Sequence, residues 1–143
     1  MKDYHPPMHT AEHILNRTMV NLFGCDRSFS NHLEKKKSKC DYHFSRSLTL
    51  DEETAIVEKV NEQITRNLDV TEIFLTRDEA LQRCNLNRLP DDAGETVHLV
   101  LIGDYDICPC IGSHVQNTSE IGAFVLVSTS YEDGVLRVRF KLK

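Results

Sequence analysis

The runs GAFVLVSTSY and GVLRVRFKL, joined through the turn EDG, leave the C-terminal part of this chain little choice of structure. In the second run Leu136, Val138, Phe140 and Leu142 alternate with Arg137, Arg139 and Lys141, the period of a strand with one apolar face. Glycine closes the turn where a tight hairpin needs positive φ. A hairpin with one apolar face is not stable in water by itself, so the rest of the chain has to cover it.

Two helical patterns upstream can do so. Pro6 and Pro7 suit a helix entry, and Ala11, Ile14, Leu15, Thr18, Met19 and Leu22 recur at helical spacing until Gly24, which predicts a first helix over about 8–23. Thr49 and Glu52 form a capping box ahead of Ala55, Ile56, Val60, Ile64 and Leu68. SFSNHL and KCDYHFSRS read as short strands joined by a lysine-rich turn. DVTEIFLT reads as a strand, RDEALQR as a short helix, NRLPDDAGE as a loop and VHLVLIG as a buried strand. Pro109 and Gly112 are expected to break regular structure in DYDICPCIGSH. The expected fold is α+β, a two-layer sandwich of a mainly antiparallel sheet with helices packed on it, in a single domain over 1–143.

At 143 residues the chain can bury one sizeable core, and a 40% hydrophobic, 27% charged composition excludes a disordered or fibrous chain. No apolar run is long enough to span a bilayer, and MKDYHPPMHT lacks the apolar stretch of a signal peptide, so the chain reads as cytoplasmic. Cys25, Cys40, Cys84, Cys108 and Cys110 are odd in number and scattered, unlike a disulfide framework; each is a small buried group or a metal ligand. A net charge of −5 argues against an extended grip on nucleic acid and against DNA as a partner. Lys35, Lys36, Lys37 and Lys39 form a local basic cluster, either a solvated turn or a contact for RNA.

Two stretches carry chemistry. In HTAEH, on the first helix, His9 and His13 stand four apart on one face and can point at a common atom. In CIGSH, Cys110 and His114 can be aimed from a tight turn after a strand. Cysteine and histidine are the ligands zinc prefers, and two separated pairs supply the usual four. HTAEH also fits the inverted zinc-protease motif H-x-x-E-H with Glu12 as base, although a carboxylate third ligand is then expected where a Cys–His pair stands. Glu12 lies at the margin of the His9/His13 face and is expected to face solvent, a base role being the alternative. Cys108 is expected to turn away from Cys110 as a small buried residue, and His5 to lie outside the helix.

HTAEHIL, followed far downstream by CIGSHV and NTSEIGAFVLV, resembles the editing domain shared by alanyl- and threonyl-tRNA synthetases and the free-standing AlaX-type proteins. FSRSLTLDEETAIVEKVNEQI is similar to that family's strand and long helix, and the resemblance runs over essentially the whole chain. It implies the second-additional-domain fold of the synthetases, and makes His9, His13, Cys110 and His114 the ligands of one Zn2+. It further implies a strand at the T-x-E-I-G-x-F stretch, 118–124, and hydrolysis of the ester of a wrongly charged tRNA, typically serine or glycine on the alanine tRNA. Ser113 stands where the family usually has threonine, and Ser28, Ser30, Asn31 and Ser113 are the candidates for reading the substrate. The chain opens almost at the zinc helix, so the expectation is an editing domain without the β-barrel that precedes it in longer relatives, and with nothing after it.

The leading expectation is a zinc-dependent deacylase acting in trans on the acceptor end of an aminoacyl-tRNA. The alternative is a zinc-containing module that binds aminoacyl-tRNA, or an aminoacyl-like small molecule, without turnover. Monomer and homodimer both stay open, because the C-terminal hairpin can be covered within the domain or by a second copy.

Overall fold

The computed structural model describes residues 5–82 and 96–143. Cys84 and the whole stretch expected as the NRLPDDAGE loop lie outside them. The chain runs α1 (Pro6–Phe23), β1 (Ser30–His32), β2 (Ser38–His43), α2 (Leu50–Thr65), β3 (Val70–Thr76), α3 (Arg77–Leu81), β4 (Thr96–Ile102), β5 (Asp106–Pro109), a 3-10 turn (Thr118–Glu120), β6 (Phe124–Glu132) and β7 (Val135–Leu142). The α+β, antiparallel expectation holds, with the strands shared between two sheets, β1-β2-β7-β6 and β3-β4-β5.

The C-terminal hairpin is as the alternation requires. β6 and β7 pair antiparallel around Asp133 and Gly134, at φ 48° and 82°, the two positive-φ positions of a tight hairpin turn. Leu136, Val138 and Phe140 are fully buried, and they join Met8, Ala11, Ile14, Leu15 and Met19 of α1 and Ile56, Val60 and Ile64 of α2 in the main core. The apolar face is thus covered from within the chain.

The helix ends follow their local chemistry. α1 begins at Pro6, earlier than the apolar spacing predicts, because proline at the first turn gives up an N–H that has no intrahelical partner. His5 sits at its cap, and α1 ends at Gly24 in the left-handed region, whose N–H bonds to Val20 O. At α2 the capping box is complete: Glu52 N donates to Thr49 Oγ1 at 3.1 Å and Thr49 N to Glu52 Oε1 at 2.9 Å. Arg46 adds a bidentate pair to Glu52, both contacts 2.7 Å.

Regular structure stops at Pro109 as expected, after a short edge strand, Asp106–Pro109, where proline costs no ladder hydrogen bond, and one expectation needs correction. The stretch 118–120 turns as a 3-10 helix and the strand starts only at Phe124. Thr118 explains why: its buried hydroxyl faces the Gln63 and Ile64 carbonyls and accepts from Leu68 N, tying the turn to the end of α2. No helix among the described residues is long and apolar enough to cross a membrane.

Candidate metal centre

α1 is buried on almost every side, yet about half of what it buries is polar: His9, Thr10, Glu12, His13, Asn16 and Thr18 accompany the apolar residues. A helix facing only a core would be apolar there. The polar side looks onto the loop after β5, and there His9, His13, Cys110 and His114 gather with their ligand atoms within 4.8 Å of one another. The His9 and His114 rings stack at 4.0 Å between centroids, and His13 stands edge-on to both. Cys110 Sγ is 3.4 Å from His9 Nε2.

The surroundings of the imidazoles decide which nitrogen each offers. His9 Nδ1 donates to Ser113 O at 3.0 Å. His114 Nδ1 is 3.0 Å from Thr10 Oγ1, whose own proton goes to Pro6 O at 3.1 Å, so the ring must be the donor. His13 Nδ1 faces Asp106 Oδ2 at 3.6 Å, the range of an ion pair rather than a formed hydrogen bond. His9 and His114 therefore keep a lone pair on Nε2, the arrangement that outer partners impose on metal-binding histidines. His114 Nε2 is buried with no hydrogen-bond partner, a cost that a bound cation would remove.

The electrostatics agree. Burial alone would raise the Cys110 thiol, but contacts from His114, His13 and His9 pull it down to about 3, so it stands as a thiolate. Gly112 N donates to that sulfur at 3.5 Å. The residue there must be glycine, since a Cβ would fall 2.3 Å from His9 Cε1. For His114 burial lowers the pKa and favours the neutral, ligating ring. Burial also acts against charge on His13, but Asp106, Cys110 and Glu12 outweigh it and raise the ring's pKa.

Asp106 is the buried anchor of this arrangement. Its carboxylate accepts from Arg17 Nε at 3.0 Å and from Arg27 Nη1 and Nη2 at 2.8 and 3.3 Å. Burial works against its charge, but Arg27 and His13 hold its pKa well below the carboxylate range. Three imidazoles and one thiolate thus form a group able to hold a metal ion.

Residues 97–139 match the family described as "Threonyl and Alanyl tRNA synthetase second additional domain". The alanine–tRNA ligase of Streptococcus pneumoniae (strain ATCC BAA-255 / R6) is 34% identical over 128 residues, covering 89% of this chain and 14% of the relative. That of Fervidobacterium nodosum is 33% identical over 132 residues, covering 91% and 15%. This chain is an AlaX-like domain related to alanyl-tRNA synthetase. It spans about one seventh of the length of these relatives.

Within the AlaX-like domain, Glu12 does not face solvent as expected but is 6% exposed. Its Oε1 accepts from Asn16 Nδ2 at 2.5 Å and from Asn31 Nδ2 at 3.1 Å, and its Oε2 lies 3.6 Å from His13 Nε2, the nitrogen turned to the centre. Ser28 and Asn31 join the same network: Asn16 Oδ1 accepts from Ser28 N at 2.8 Å, and Ser28 Oγ bonds to Asn31 Oδ1. Ser30 is exposed on β1 and alternates away from Asn31, so it is not brought to this group. Ser113 is exposed and contributes its carbonyl.

Cys108 also needs correction. Residues two apart on a strand share a face, and Cys108 is on the centre's side, close enough to feel the charges of Arg27, His13, Asp106 and Glu12. Burial is the largest influence on it and raises its pKa, so unlike Cys110 it stays a thiol. Sequence reasoning missed Thr10, Asn16, Arg17, Arg27 and Asp106. The one available signal was polar residues at 10, 12 and 16 on a helix otherwise patterned for a core.

Proposed function

We propose that this domain is a zinc-dependent hydrolase that deacylates mischarged tRNA in trans, with seryl- or glycyl-tRNA(Ala) as substrate, in the cytoplasm. The observation that carries the reading is the convergence of three imidazoles and one thiolate in a chain similar to alanine–tRNA ligases. Zinc suits this donor set, and its bond lengths set tetrahedral donor separations of roughly 3.3–3.6 Å. The Cys110–His9 contact already has that length at 3.4 Å.

When bound, zinc supplies a Lewis acid for the ester carbonyl or for water. The rest falls to the chain's own residues. Glu12 Oε2 lies 3.6 Å from His13 Nε2, and Asn16 and Asn31 fix its carboxylate through Oε1, so Oε2 is positioned to orient water and take its proton. Ser28 and Asn31 shape the polar wall that reads a small, hydroxyl-bearing or side-chain-less acyl group. The tRNA's acceptor end is the proposed partner.

One observation favours a second reading. Four protein donors fill a tetrahedral ion and leave no open position, as in structural zinc sites, which suits a module that binds aminoacyl-tRNA or an aminoacyl-like small molecule without turnover. One experiment separates the two: zinc per chain, and release of serine, glycine and alanine from tRNA(Ala), in wild type, His9→Ala and Cys110→Ala. Fast loss of serine or glycine, slow loss of alanine, and inactivity of both variants is the expected result. Bound zinc without release of any of the three would count against tRNA(Ala) as substrate and favour the second reading or a different charged tRNA.

A further inference from the structure

The fold leaves one face of the β1-β2-β7-β6 sheet open. α1 and α2 cover the face that carries Leu136, Val138 and Phe140, so Val135, Arg137, Arg139 and Lys141 point the other way. Directly opposite residues in a ladder share a face, which adds Lys39, Asp41 and His43 from β2 and Ser128, Ser130 and Glu132 from β6. The metal centre, two of whose candidate ligands stand on α1, lies on the covered side.

Charge on the open face is sorted along the strands. At the β6–β7 turn stand the exposed carboxylates of Glu132 and Asp133. Arg139 lies four residues along β7 from Val135, the partner of Glu132, which is roughly 13 Å. Lys39 is directly opposite Arg139, and Lys141 is one row further on. Midway between the ends, Arg137 is neutralised by Asp41 in a bidentate pair at 2.8 and 2.9 Å. The two ends themselves are too far apart to pair within one chain. Among the described residues Glu132, Asp133, Lys39, Arg139 and Lys141 make no ion pair, and Arg139 donates to the hydroxyls of Ser128 and Ser130 at 3.3 and 3.4 Å. A depression of about 410 Å³ joins the ends, with Glu132 and Asp133 in one part of its wall, Arg139 in another and the exposed ring of Phe29 beside them. That ring stacks on His43, 4.0 Å between centroids.

We propose that this face pairs with the same face of a second copy, about a two-fold axis that runs across the strands at the level of Arg137. Such an axis sets β7 antiparallel to its counterpart, so the acidic end of each copy meets the basic end of the other. Glu132 and Asp133 then lie against Arg139 of the second copy, and Lys39 comes over the Phe29–His43 stack of the second copy, a seat for a cation on aromatic faces. Sheets packed face to face stand about 10 Å apart, a gap that arginine and glutamate side chains bridge. Arg137 meets its own counterpart at the axis, where Asp41 on each copy offsets the like charge. The contact is isologous and closes at two copies. A polyanion would use the basic end alone and be repelled by Glu132 and Asp133 in the same depression, whereas a second copy uses both ends. Both metal centres stay outside the contact, and nothing in the pairing depends on the hydrolase reading.

Sedimentation velocity on the metal-loaded full chain, over a concentration series at low and high salt, tests the pairing. Wild type is expected to dimerise at low salt and to dissociate as salt rises, because exposed charge pairs are screened. Arg139→Glu and Glu132→Arg should each weaken self-association roughly a hundredfold or more, the scale of like charges set against each other across an interface. An equal mixture of the two variants should recover wild-type dimerisation, since each introduced charge is opposite to the group it meets in the other variant. Melting temperature and metal content of both should match wild type, both sites being on the open face. Lys59→Glu, on the exposed side of α2, should dimerise as wild type does. A wild type that stays monomeric at low salt throughout the series would overturn the proposal, including one that instead binds RNA or an acidic protein through Arg139. So would dimerisation that neither variant weakens, or variants that stay monomeric when mixed.

Discussion

The hydroxyl of Thr10 lies 3.0 Å from His114 Nδ1, across 104 residues of sequence, and is filled to capacity: it donates to Pro6 O at 3.1 Å and also accepts from Val115 N at 3.2 Å. One side chain on α1 therefore sets the tautomer of His114 and pins the backbone just after it. Thr10→Val keeps the shape and removes both functions. Outer partners of this kind are worth about 10–100-fold in metal affinity, and the variant is expected to lose zinc in that range. Competition against a chromogenic chelator reads the loss, and Thr10→Ser should restore most of it. Wild-type affinity in Thr10→Val would show that His114 is held by other means.

Asp106 ties the centre to the fold. Its carboxylate neutralises Arg17 and Arg27 and faces His13, so Asp106→Asn leaves two arginines without their counter-charge. Breaking a buried ion pair on one side costs about 3–5 kcal/mol. The arginine side chains are 27% and 17% exposed, which places this case near the lower end, about 3 kcal/mol. For a chain of this size that is a fall of roughly 10 °C in melting temperature by calorimetry. Metal-free Asp106→Asn should show the same fall, because the cost lies in the arginines and not in the ligand set.

How much of this is legible in the sequence follows from which contacts are local. The capping box at Thr49 and Glu52, the Gly24 stop and the EDG turn depend on neighbours within a few residues, and each is readable. So are the positions of the quartet, because i, i+4 spacing on a helix is itself a geometry. The parts that are not readable depend on distant partners. Helical periodicity places the Cβ of Glu12 at the edge of a face, which points it to solvent; its burial is decided by Asn31, nineteen residues on. Thr10 and Asp106 are ordinary polar residues until α1 and β5 are packed together. Cys108 belongs with them: β5 ends at Pro109, so the strand's period of two does not by itself place Cys110, which lies past its end.

Acid should weaken the N-terminal cap of α2. Hydrogen bonds from Arg46 and from the Thr49 N–H lower Glu52 from its usual value near 4.5 to about 2. A carboxylate with a depressed folded-state pKa stabilises the fold fully above its unfolded pKa, and loses that contribution as pH falls through the folded one. The melting-temperature difference between wild type and Glu52→Gln should therefore be constant from neutral pH down to about 5, then shrink between about 4.5 and 2. A difference that grows on acidification would contradict the assignment. The comparison is best made with the metal removed, so that ligand protonation does not enter.

Glu12 offers the sharpest division between a group that holds the structure and one that serves the reaction. Glu12→Gln can keep its amide oxygen toward Asn16 and Asn31, preserving the network, while the amide nitrogen replaces Oε2 beside His13. The replacement retains shape and hydrogen bonding but can no longer accept a proton. If Oε2 takes the proton of water, deacylation should fall by about 10²–10⁴ with zinc content and melting temperature near wild type. A purely structural Glu12 predicts the reverse pattern, in which stability drops and the remaining activity per folded molecule is unchanged. Single-turnover release of the amino acid, normalised to metal-loaded protein, separates the two outcomes.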